Sequence, residues 1–326
     1  MTAEQSFYVS VIDPITPAIE KTKDILFRPF DLSRWFVIGF CAWLAGLAQT
    51  GGNGFNFVFD FTRTFAKHQK RISEQCVYNG RIQDLQNFVT NNLPLALVIG
   101  AVVLVIAFAV SVVFLWLSGR GRFMFLDCVA QNKAEVKNPW HRFRMQGNSL
   151  FLFQFVVGIV AFICLIFCVA VVVAAAIALR IYKVKMMIVF IPLLVLMIAV
   201  FILLFVVFGV VLRFTTDFVA PIMYLRSCTC MEGWRQFLKL LSSNKGRFIL
   251  YLLFQLVIGL AIGVIILAAT CLTCCVACCI MIIPYVGTVL LLPILVFQRA
   301  YSLCYLRQYG PAYDTFAQMS PVIGKT

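Results

Sequence analysis

Five cysteines, Cys271, Cys274, Cys275, Cys278 and Cys279, fall within the nine residues CLTCCVACC. Thiols at helical i, i+3 and i+4 spacing can ligate a metal, bridge by oxidation, or pack. A closed tetrahedral site draws its ligands as separated pairs from different segments, and the chain holds only two histidines, His68 and His141. No metal or other cofactor is expected. Free cysteine behaves as a small hydrophobe, so packing is the leading reading, with a bridge to Cys76 as the alternative. Disulfides within the run itself are geometrically poor. Cys228 and Cys230 are acylation candidates by position alone.

Charged residues recur where apolar runs end. RGRFMFLD (Arg120 to Asp127) and RFTTD (Arg213 to Asp217) both carry an apolar helix past a basic residue to an aspartate; FQRAYSLCYLR keeps Arg299 without the acid. Arg213 and Asp217, four apart, can pair on one helix face. Arg122, Asp127, Arg213, Asp217 and Arg299 are candidates to cradle an anionic headgroup or solute, or simply to snorkel to the interface with local ion pairs. Gln154 and Gln255 are candidates either for a polar path between helices or for an interhelical bond worth about 1 kcal/mol. Catalysis would need convergent titratable groups. There is no HExxH, GxxxxGK[ST] or GxSxG, so the protein is expected not to be an enzyme.

The elements that position these residues are membrane helices. The 326 residues are 62% hydrophobic and 12% charged, against about half and about a quarter in a soluble domain. The apolar runs are continuous rather than alternating, which predicts helices and not a barrel. Six spans are expected: Trp35 to Ala48, Pro94 to Leu117, Ser149 to Leu179, Met186 to Leu212, Phe248 to Met281, and Pro284 to Leu303. No cleavable signal peptide is evident.

Of the 27 Lys and Arg residues, 19 fall on the side that holds both termini and 8 on the other. The positive-inside rule then makes both termini cytoplasmic, with a bacterial inner membrane as the expected location. The net charge of +14 becomes a collar for anionic lipid, about 1 kcal/mol per basic residue. It does not line a folded basic domain, so no nucleic acid is expected.

A short motif recurs at the start of the odd spans: WFVIG at residues 35–39, QFVVG at 154–158, QLVIG at 255–259. Each follows an amphipathic or basic segment carrying tryptophan or aromatic residues. The expected unit is an interfacial helix followed by a helical hairpin, three times over, in one membrane domain. Its parts are an interfacial arm (1–34), hairpin 1 (35–117) with an outer connection (51–92), a cytoplasmic segment (118–148), hairpin 2 (149–212), a second cytoplasmic segment (213–247), hairpin 3 (248–306) and a tail (307–326). Thr16 is expected to cap the first interfacial helix, with Pro17 at its first position and Ile15, Ala18, Ile19, Thr22, Leu26 and Phe30 facing lipid. Trp35, Trp140, Trp234, Arg235 and Lys239 are the expected interfacial anchors. The outer connection opens on Phe55, Phe57, Phe59, Phe61 and Phe65 and reads as a partner contact or a lid.

The segment GWRQFLKLLSSNKGRF, together with RGRFMFLD, NPW and GNSLFLF, resembles bacterial six-span proteins of unknown function that are similar to the membrane domain attached to some glycerophosphodiester phosphodiesterases. The resemblance implies an all-α membrane domain. It does not imply phosphodiesterase activity, because the catalytic barrel of such proteins is a separate domain and the spans leave no length for one. The function expected is a non-enzymatic membrane-organising or assembly component, in contact with the bilayer and anionic lipids and open to homo-oligomerisation. Its rivals are a transporter or channel for a small or anionic solute or lipid, and an accessory subunit of a separate enzyme.

Overall fold

The computed structural model describes residues 9–47, 93–181, 186–273 and 284–317. The outer connection, Cys76, and Cys274, Cys275, Cys278 and Cys279 lie outside the described residues. Those described are helical, without strands: α1 (Ile15–Leu26), α2 (Leu32–Gly46), α3 (Leu93–Gln131), α4 (Lys137–Arg142), α5 (Arg144–Ile181) and α6 (Met186–Phe214). A π turn (Thr215–Val219) joins α6 to α7 (Ala220–Arg226), followed by α8 (Cys230–Ser243), α9 (Lys245–Leu272), α10 (Pro284–Leu290) and α11 (Leu292–Arg307).

Among the described residues, four stretches are long and apolar enough to cross a membrane: Ala101–Gln131, Arg144–Ala175, Leu194–Arg226 and Lys245–Leu272. Their Val, Ile and Phe residues are indifferent helix formers in water. Within hydrocarbon every backbone N–H and C=O must be paired inside the segment, and only the helix does that for a lone strand of chain. The other two expected spans are shorter helices. At 15 residues, α2 rises about 22 Å, less than the roughly 30 Å hydrocarbon core. The last apolar run breaks at Leu291 into α10 and α11, with Pro293 in the first turn of α11.

Small residues set the helix crossings. A Cβ on Gly121 would lie 2.6 Å from the Leu44 and Ala45 backbone, so α2 and α3 meet there main chain to main chain. Ser118 Oγ, one turn away, donates to the Ala45 carbonyl at 2.7 Å. Where α3 meets α5, a Cβ on Gly119 would stand 2.9 Å from the Gly147 carbonyl oxygen. Close approach through small residues is how membrane helices gain dispersion energy when lipid offers no hydrophobic drive. The RGR tripeptide thus serves packing through Gly121 and charge through its neighbours.

The first interfacial helix differs from expectation. Pro14 stands at its N-cap with φ −66°, Ile15 is the first helical residue, and Thr16 makes no cap. Ala18, Thr22, Ile25 and Leu26 are buried, while Ile19 and Phe30 are exposed. The helix packs on α11, so protein takes up most of the apolar stripe assigned to lipid. Lys21 lies over the Phe316 ring, 5.2 Å from its centre.

An aromatic core ties the end of α6, the π turn, α8, α9 and α11 together. Phe218 stacks on Phe237 at 5.3 Å and lies 4.8 Å from Tyr251, which in turn lies 4.7 Å from Tyr305. All four rings are fully buried.

Candidate functional site

The charged residues of three helices converge on the π turn. In that turn the Ala220 N–H bonds to the Thr215 carbonyl, five residues back. The next donor in that register would be Pro221, which has no N–H. The Thr216 carbonyl is therefore left without an intrahelical donor, and a buried orphan of this kind must find a partner. Arg299 of α11 supplies it: Nη1 donates to Thr216 O at 2.6 Å.

The Thr216 side chain is used as well. Its hydroxyl donates to the Leu212 carbonyl at 3.0 Å and accepts from Arg122 Nη1, reaching across from α3, at 3.2 Å. One threonine thus holds two arginines, through its main chain and its side chain. Arg122 and Arg299 are both buried. Arg122 Nε and Arg299 Nε and Nη2 are buried with no hydrogen-bond partner among the described residues.

Arg213 closes the group. Its Nε donates to Asp217 Oδ2 at 2.7 Å and its Nη2 to Gln255 Oε1 at 2.9 Å. The Tyr251 hydroxyl donates to Asp217 Oδ2 at 3.1 Å and accepts from Gln255 Nε2 at 2.8 Å. Tyr251 and Gln255 are one turn apart on α9, so one helix face presents both. Asp217 pairs directly with Arg213, while Arg122 and Arg299 lie only within its field.

Arg122, Arg213, Asp217 and Arg299 are therefore brought together, and Gln255 joins them. Asp127 is not part of the group: it accepts from Gln131 Nε2 and from the Tyr224 hydroxyl, each at 2.8 Å. Spacing explains the difference. Four residues turn a helix by about 40° net, but the five from Arg122 to Asp127 turn it by about 140°, onto the far side. Gln154 does not meet Gln255 either: both of its carboxamide atoms are buried with no partner among the described residues. The sequence reading missed Thr216, Tyr251, Tyr224 and Gln131. Tyr251 was signalled by its i, i+4 spacing to Gln255, and Thr216 by the proline five residues on.

The expected anchors divide. Trp35 Nε1 donates to the Leu26 carbonyl at 2.7 Å, and its ring meets Phe27 and Phe30 edge-on, which clamps α1 to α2. Trp140 and Trp116 flank the Arg120 guanidinium at 4.8 and 4.4 Å. Trp234 packs on Phe153 and Phe237, and its buried Nε1 has no partner among the described residues. Arg235 and Lys239 line an open groove of about 590 Å³ along α8, with Met231, Glu232, Trp234, Leu238 and Ser242. A capping box of Thr229 and Glu232 starts α8, the Thr229 N–H donating to Glu232 Oε2 at 3.2 Å. Within α8, Phe237 turns inward to the core while Leu238 stays exposed.

The cysteines that are described are free thiols. Cys271 is exposed at the end of α9, and no group of three or more metal-ligating side chains occurs among the described residues. Cys230 is buried against α5, its N–H donating to Ser149 Oγ at 2.9 Å, and burial pushes its thiol up to about 12.

Long apolar helices closed around a compact charged group are the features of a helical membrane protein. Residues 9–292 match a family of unknown function (DUF7544), and the chain belongs to that family. No curated protein and no solved structure matches it.

Proposed function

We propose that the protein is a non-catalytic, multi-pass membrane component that organises the lipid and protein around it. The observation that carries this is the apolar surface of the long helices, on which residues such as Phe167, 68% exposed, have no protein cover. Water would penalise a patch of this size; lipid would not. On α8, Met231 and Leu238 are 71% and 51% exposed beside Arg235 and Lys239, the pattern of a helix that dips apolar side chains into an anionic interface. The proposal includes six spans in three hairpins, with α2 and α10–α11 completing the set, both termini cytoplasmic, and a bacterial inner membrane. The likeness to phosphodiesterase-linked membrane domains belongs to the same reading.

The test is reconstitution into vesicles of phosphatidylcholine with and without phosphatidylglycerol. The reading expects enrichment of phosphatidylglycerol around the protein, reduced in Arg235→Gln/Lys239→Gln, and no flux of chloride or phosphate. Flux that depends on Gln255 would replace it with a transporter or channel. That second reading is favoured by one observation, the polar chain Arg213, Gln255, Tyr251 and Asp217 between apolar helices.

A further inference from the structure

We propose that Arg122 and Arg299, with Arg213 at the mouth, form a binding site for a phosphate-type oxyanion, presented by an anionic phospholipid headgroup or by a free phosphate compound. Three guanidinium groups face one carboxylate, and that carboxylate is already engaged by Arg213 and Tyr251. Among the described residues, two positive charges are left without a carboxylate of their own in a buried place. Isolated buried charges are strongly disfavoured unless paired and hydrogen-bonded, so two in one cluster point to a counter-ion.

The hydrogen-bond inventory narrows its chemistry. Arg122 and Arg299 each spend one nitrogen on Thr216. Arg122 Nε and Arg299 Nε and Nη2 remain, buried and without acceptors. These three donors come from two guanidinium planes on two different helices. A carboxylate offers two coplanar oxygens and suits a single fork, whereas a phosphate offers oxygens in several directions and suits two. Access is from the side of the π turn, where Arg213 and Asp217 keep 22% and 11% of their side chains exposed.

The lipid source rests on the membrane placement proposed above; the free-phosphate source does not. The experiment uses the full chain in detergent and in nanodiscs. Thermal unfolding is followed against inorganic phosphate, with chloride at matched ionic strength, and native mass spectrometry compares phosphatidylglycerol with phosphatidylcholine. Arg122→Gln and Arg299→Gln are the test variants, with Arg235→Gln as the surface control. The expected result is saturable stabilisation by phosphate, selective retention of phosphatidylglycerol, or both, weakened roughly tenfold or more in either test variant; the control, whose residue faces lipid, is read for phosphate alone, where stabilisation is unchanged. Stabilisation by phosphate alone assigns the free compound; retention of phosphatidylglycerol alone assigns the headgroup. A wild-type protein indifferent to both overturns the site even where a variant fails to fold. So does selectivity that survives both substitutions. Anion flux in vesicles with the site intact would defeat the organising role and leave the site standing.

Discussion

Arg213 and Asp217 lie 2.7 Å apart across the point where α6 widens into the π turn. The pair is a hinge between two kinds of arginine: Arg213, which has its own carboxylate, and Arg122 and Arg299, which share what remains of that charge. Removing one partner of a largely buried ion pair leaves the other uncompensated.

Asp217→Asn keeps the shape and removes the carboxylate that, among the described residues, stands with the three arginines. A loss of about 3 kcal/mol is expected, measured as the shift in detergent unfolding midpoint relative to wild type. Tyr251→Phe removes only the hydroxyl between Asp217 and Gln255, for about 1 to 2 kcal/mol. Equal losses in the two variants would show that the charge is not what the cluster supports.

Gln154→Leu is expected to leave stability unchanged or raise it by about 1 kcal/mol. Its two carboxamide atoms are buried with no partner, and an unsatisfied buried amide is a cost that an apolar residue of similar size removes. A clear fall in Tm would count against this account.

Gly121→Val would push a side chain into the Leu44 and Ala45 backbone, whereas Gly158 has nothing within 4 Å. The first substitution is expected to separate α2 from α3 and abolish recovery of folded protein; Gly158→Val is expected to be neutral. Size-exclusion profiles after extraction compare the two directly.

Cys228 and Cys230 are two residues apart and differ in access: Cys230 is buried and Cys228 only partly so. Burial raises both thiols above their ordinary value, Cys230 to about 12. At pH 8 the Cys230 thiolate is therefore scarce, and the thiolate is the nucleophile. Maleimide should modify Cys228 well before Cys230, and raising the pH to 9 should not reverse that order. Peptide mapping reads it.

Helix class and the long apolar runs were legible because lipid allows a lone segment so few structures. The four-residue spacing of Arg213 and Asp217 was enough to pair them. What composition does not carry is three-dimensional partnership. Nothing in RGRFMFLD distinguishes the face of Arg122 from that of Asp127 except counting turns, and the aspartate went to Tyr224 on α7. The stripe of α1 was visible, but not that α11 would cover it. The glycines ending WFVIG, QFVVG and QLVIG also stand in unlike surroundings: Gly39 is tight against Val289, while Gly158 and Gly259 are open. Likeness of letters there did not become likeness of contact.

The proline five residues beyond Thr216 has a consequence for how this chain can change. A substitution anywhere in TTDFV alters a side chain and leaves the helical phase intact. Loss of a single residue between Thr215 and Val219 would let the widened turn close into ordinary α geometry, which absorbs the lost residue with little change of phase in α7 but moves the carbonyl that Pro221 leaves open from five residues before it to four. The main-chain oxygen that Arg299 reaches would then be a different one, in a different place. The length of this stretch is therefore as much a part of the site as the side chains of Thr216, Asp217 and Phe218.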